Sequence, residues 1–189
     1  MRPPQAALWD AAKIVPTVVI LALLQVSSTP GLSPYSAGPD FLLILIVALT
    51  LWRGMVTAAV TGFCAGLLVN SMVYVTLGLS SLLYLIAVLV VDRLQRGDDP
   101  SMQQPSINRR RPPSSLVLVP WVVLATVVVQ ISDAVIHRML GVDIPIGFLW
   151  WHQVVPAVIQ TGLVALILAP IFRRMFPDEL IRNAGITTA

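Results

Sequence analysis

The sequence predicts an all-α polytopic membrane protein with six transmembrane helices, and three observations carry that expectation. Of 189 residues, 57% are hydrophobic and 11% charged, with a mean hydropathy of +0.85, where an average soluble domain carries about 25% charged residues. Between Asp40 and Asp92 the chain holds a single charge, Arg53, so that stretch cannot be a solvated surface and is long enough to cross a bilayer more than once. Threaded as six helices, the chain places all its Lys and Arg but Arg138 on one side, the bias that fixes orientation in bilayers.

The first helix is expected over residues 8–27. A short head with Arg2 and Lys13 precedes an apolar run from Ile14 to Val26. Pro16 lies early in that run and no small-x-small pattern precedes Thr29, so a retained helix is expected over a cleavable signal. Residues 28–38 contain Pro30, Gly31 and Pro34 without Lys or Arg and form an extramembrane loop. The second helix spans residues 38–52, with Pro39 in its first turn, where proline is accepted, and Asp40 against the positive end of the helix dipole. Its apolar part, Phe41 to Trp52, measures ~18 Å as a helix, short of the ~30 Å hydrocarbon core. It must therefore start before Asp40, thin the bilayer, or be covered by protein.

Arg53-Gly54 turns the chain into a third helix, residues 55–74, on which Ala58, Gly62 and Gly66 recur every fourth residue. In lipid such a stripe lets two backbones approach and pack by dispersion, within one chain or between two. The fourth helix covers residues 78–94. Residues 95–115 hold five prolines and glycines and the triplet Arg109-Arg110-Arg111, and form a cytoplasmic loop without the apolar content for a core. The triplet serves as a topology determinant and as a contact for anionic lipid or an acidic cytoplasmic partner. The fifth helix spans residues 116–136, with Asp133, His137, Arg138 and Asp143 at its wet exit. The sixth spans residues 151–172, adjusted at Pro156 and Pro170. The whole chain, residues 1–189, reads as one domain with both termini in the cytoplasm.

Little in the chain suggests catalysis. There is no phosphate loop, no paired cysteine and no His-Glu-x-x-His, and the serines lack a neighbouring base. Asp133 and His137 share a helix face, with Asp143 or His152 as further donors, but a metal needs three or four converging groups. No enzyme, cofactor, metal or nucleic-acid partner is expected. Gln25, Asn70, Gln130 and Gln160 lie at membrane depth. Gln130 and Gln160 are expected to meet in the outer half of the bilayer, as hydrogen bonds between helices or as the lining of a polar cavity.

Pro39-Asp40, the apolar run to Arg53-Gly54, Gly62-Phe63, Gly66-Leu67-Leu68, the polar residue at 70 and Leu77-Gly78 before a helix ending in basic residues together resemble the rod shape-determining protein MreD family. The resemblance covers residues 39–94, under a third of the chain, and departs at Asn70, where members commonly carry an acid. It implies a non-enzymatic scaffold of the elongation complex in the bacterial inner membrane, binding MreC and acting with RodA and its partner transpeptidase, linked through the complex to MreB. It also implies a fold similar to the six-helix substrate-binding subunits of energy-coupling-factor transporters, so the alternative is a vitamin-binding transporter subunit. On the scaffold reading, Ala58, Gly62 and Gly66 accept a partner's transmembrane helix, and Asp40 and Asn70 fix it by polar contact.

Overall fold

The computed structural model describes residues 4–28, 38–72, 78–96, 115–139, 141, 147 and 150–175. They form six α-helices: α1 (Pro4–Ser28), α2 (Phe41–Trp52), α3 (Met55–Met72), α4 (Leu79–Arg96), α5 (Ser115–Met139) and α6 (Val155–Met175), the last entered through a π-helical turn, Trp150–Val154. Three stretches, Met55–Met72, Val117–Met139 and Val155–Met175, are long and apolar enough to cross a membrane, while Ala12–Ser27 and Phe41–Trp52 are shorter apolar helices.

The shortest helix is the centre. Every residue of α2 from Leu42 to Thr50 is buried, and α2 packs against each of the other five helices. The sequence explains this, because FLLILIVALTLW has no polar face and a helix apolar on all sides must be enclosed on all sides. Of the three remedies for its short length, enclosure by protein is therefore the one adopted. Its core neighbours are Leu21 and Ala22 of α1, Ala58 and Ala65 of α3, Tyr84, Ala87, Val88 and Val91 of α4, Val122 and Ala125 of α5, and Ala165 and Ala169 of α6.

Helix α2 begins at Phe41, not at residue 38, because Asp40 is its N-cap: the Asp40 side chain accepts the first-turn N–H of Leu43 at 2.9 Å. Pro39 accordingly precedes the cap and does not occupy the first turn. At the other end the N–H groups of Arg53 and Gly54 both return to the Leu49 carbonyl, and the Gly54 carbonyl accepts the N–H of Ala58 to start α3. The reversal needs φ +95 at Gly54, a conformation open to glycine and strained for other residues.

Several other boundaries move outward from the expected ones, whereas α4 begins at Leu79, α6 at Val155, and residues 73–74 of the third expected helix lie outside the described residues. Helix α1 starts at Pro4, α4 runs to Arg96, and α5 runs to Met139, so His137 and Arg138 lie on the helix and not beyond its end. Basic residues in the last turns of α5 and α6 meet the negative end of the dipole and favour these extensions. The π-helical turn ahead of Pro156 is the expected adjustment there: proline offers no N–H, and widening the preceding turn relieves the helix.

Candidate functional site

The polar residues of the bundle converge on the N-terminus of α2. Tyr84 of α4 donates its hydroxyl to Asp40 Oδ1 at 3.1 Å, the oxygen that also caps Leu43. Gln25 of α1 reaches the same place from the other side, donating Nε2 to the Tyr84 oxygen at 3.5 Å and accepting the Leu42 N–H at 3.3 Å. Thr161 of α6 accepts the Asp40 N–H at 3.2 Å. Four helices are thus tied at one point, and first-turn N–H groups of α2, which have no partner within the helix, are satisfied by side chains. In apolar surroundings each such group is costly to leave unpaired.

Helix geometry explains why these residues meet. Measured at 1.5 Å per residue from Lys13, Arg53, Arg93 and Arg173 at one end of the bundle, Gln25, Asp40, Tyr84 and Thr161 lie ~18, ~20, ~14 and ~18 Å along their helices. They share a level on α1, α2, α4 and α6, so packing of α1, α4 and α6 around α2 brings them together. Asp40 was identified in the sequence; Tyr84 and Thr161 were not, because a tyrosine and a threonine in apolar helices are ordinary residues. The matching distance from each helix's basic end is the signal that finds them.

The small-residue stripe is occupied within the chain. A Cβ on Gly66 would lie 2.5 Å from Ser81 Cα and 2.7 Å from Ser81 Oγ; one on Gly62 would meet Ile46 Cδ1 at 3.4 Å and Tyr84 Cβ at 3.5 Å. Ala58 is fully buried. In place of a partner's helix, α4 and α2 fill this face, because Ser81 is small enough to let the two backbones of the α3–α4 hairpin close. Asn70 is buried and its Oδ1 accepts the Ser80 hydroxyl at 2.6 Å. Its polar fixing is therefore also internal.

Gln130 and Gln160 do not meet. Gly162 of α6 lies against Val123 of α5, and this antiparallel register sets Gln160 level with Ala125 and Gln130 level with Val155, an offset of ~7.5 Å. Gln160 Oε1 is buried without a hydrogen-bond partner. His137 Nδ1 stands 2.9 Å from the Asp133 carbonyl oxygen and 3.4 Å from its carboxylate. Asp143, the His152 side chain and Arg109, Arg110 and Arg111 lie outside the described residues. Among the described residues no group of three or more His, Cys, Asp or Glu side chains is placed to hold a metal ion.

The arrangement is suited to holding helices in register: its donors and acceptors are spent on one another across α1, α2, α4 and α6. No family model, no curated protein and no solved structure matches this chain.

Proposed function

We propose that the chain is a non-enzymatic scaffold of the bacterial elongation complex. It is a six-crossing protein of the inner membrane with both termini cytoplasmic, binds MreC, and acts with RodA and its partner transpeptidase in lateral wall synthesis, coupled through them to MreB. The observation that carries this reading is that residues 39–94, where the resemblance lies, include the central helix of the bundle: α2 is enclosed by the other five helices, and α3 and α4 pack around it as a close hairpin. The resemblance therefore rests on the part that organises the fold.

Six crossings are supported by the common level of Gln25, Asp40, Tyr84 and Thr161 above the basic ends of four helices, which follows from alternating helix directions with the Lys and Arg side inward. Arg109, Arg110 and Arg111 belong to the same inner side and suit anionic lipid.

Two measurements test the reading. A reporter fused at residue 35 is expected outside the cytoplasm, and a cytoplasmic signal there removes the topology. Depletion is expected to round rod-shaped cells. The second reading, a vitamin-binding transporter subunit, draws on the polar groups gathered at mid-bundle. Saturable, stoichiometric binding of a vitamin by the purified protein, with cell shape unchanged on depletion, selects it over the scaffold.

A further inference from the structure

Around α2 the other five helices form an open ring. Helix α1 packs on α3, α3 on α4, α4 on α5 and α5 on α6, but among the described residues no comparable packing joins α6 to α1. The ring therefore has two ends, and they are secured differently. Helices α1 to α4 are braced to one another by side chains. Gln25 of α1 accepts the Leu42 N–H of α2 and donates to the Tyr84 oxygen of α4, and Tyr84 donates in turn to Asp40. Ser80 and Ser81 of α4 donate to Asn70 and to the Phe63 carbonyl of α3. Among the described residues a single side-chain hydrogen bond joins the α5–α6 hairpin to these four helices, from the Asp40 N–H to Thr161 Oγ1. What else the hairpin sets in the core beside α2 is apolar, with Val122 and Ala125 on α5 and Ala165 and Ala169 on α6. Thr126, buried on α5, spends its hydroxyl on its own helix.

In lipid this difference decides which part can move. An apolar side chain that leaves the bundle enters tails as apolar as the core it left, so close packing and hydrogen bonds are what hold one helix to another. Swinging α5–α6 outward on its contact with α4 breaks one hydrogen bond and meets no close packing on the α1 side. Swinging α1 outward instead releases both ends of Gln25. Parting α3 from α4 separates backbones in contact at Gly66 and Ser81 and breaks two hydrogen bonds as well.

We propose that α5–α6 is a hinged leaf that opens from the α1–α4 body at the gap between α1 and α6, pivoting on α4, with the Thr161 hydroxyl and the Asp40 N–H as its latch. Opening uncovers the flank of α2 that faces α6 and leaves the braced body intact. It is a sub-global opening of the kind that draws on the least stabilised part of a fold. The leaf is a property of the bundle and holds for the scaffold and the transporter readings alike.

The test is pulsed dipolar spectroscopy on the full chain in lipid nanodiscs, with the exposed Cys64 replaced by Ala and spin labels on cysteines placed at exposed sites. Ile20→Cys on α1 is paired with Ile167→Cys on α6 across the gap, and with Leu89→Cys on α4 within the body. Ile131→Cys on α5 is paired with Ile167→Cys within the leaf. Across the gap a second, longer distance is expected, and Thr161→Val is expected to raise its share relative to the shorter one about threefold, the factor of a typical interhelical hydrogen bond in lipid. Thr161→Ser keeps the acceptor and is expected to match the parent, while the other two pairs keep one distance throughout. A gap distribution that Thr161→Val leaves unchanged overturns the proposal. Lengthening of the α1–α4 pair overturns it too, because α1 is then the moving part, and so does lengthening of the α5–α6 pair, because α6 then moves alone. A Thr161→Ser chain that opens as far as Thr161→Val overturns the latch. Should Thr161→Val fail to fold, titration of the parent with sodium dodecyl sulfate decides: the gap pair is expected to lengthen before the body pair, and simultaneous lengthening overturns the leaf.

Discussion

The hairpins α3–α4 and α5–α6 are both antiparallel helix pairs, yet they are held by different means. In α3–α4 the backbones touch: Gly66 lies beneath Ser81, the Ser81 hydroxyl donates across the interface to the Phe63 carbonyl at 3.0 Å, and Ser80 donates to Asn70. In α5–α6, Gly162 meets only the tip of Val123, and the Thr126 hydroxyl is spent on Val122 of its own helix at 2.9 Å. Among the described residues no hydrogen bond crosses that second interface. The contrast teaches that a glycine on a membrane helix is informative only together with what stands opposite it. One opposed by serine marks backbone contact, whereas one opposed by a valine methyl marks ordinary side-chain packing.

The sharpest test of this contrast is Gly66→Ala, for which a shift of α4 is required because the new methyl meets backbone atoms. A loss of about 3 kcal/mol is expected, read as the midpoint of unfolding in mixed micelles, and Gly66→Leu is expected to abolish folded yield. A Gly66→Ala protein that unfolds like the parent breaks the distinction between the hairpins.

Asp40→Ala comes next. It removes the cap of α2 and the acceptor for Tyr84, with an expected cost of about 2–3 kcal/mol, whereas Asp40→Asn keeps an oxygen in place and is expected to cost under about 1 kcal/mol. Equal losses from the two replacements would show that the charge matters more than the bonds.

Asn70→Leu forfeits the Ser80 bond and is expected to cost at least about 0.6–1.7 kcal/mol, with Ser80→Ala costing no more and the double replacement adding little to Asn70→Leu. Full additivity of the two counts against a shared bond. The smallest effect belongs to Gly162→Ala. Its methyl enters at an ordinary contact distance of 3.5 Å and gains up to about 1 kcal/mol of helix propensity, so stability is expected to hold or rise slightly.

Much of the architecture was legible in the sequence, for reasons that these residues make plain. The apolar run Phe41–Trp52 announces burial because it has no wet side, and Arg53-Gly54 announces the reversal because glycine supplies the positive φ. The direction of the small-residue stripe was not legible. Spacing says that Ala58, Gly62 and Gly66 share a face, but only tertiary packing says that Ser81 and Ile46 already fill it. The N-cap role of Asp40 was hidden by Pro39, which imitates a first-turn proline one residue too early. The hub itself depends on partners 17, 44 and 121 residues from their contacts at α2, and short-range pattern carries no information at such separations.

That longest separation has a consequence for biogenesis. Asp40 leaves the ribosome well ahead of Thr161, and at about 5–20 residues per second the interval is roughly 6–24 s. During it, on the proposed topology, the nascent chain holds a carboxylate-bearing segment in the bilayer with part of its final company still untranslated. An insertase or lipid-phase chaperone that shelters this segment until the last helix emerges is the physical need such an order of synthesis creates.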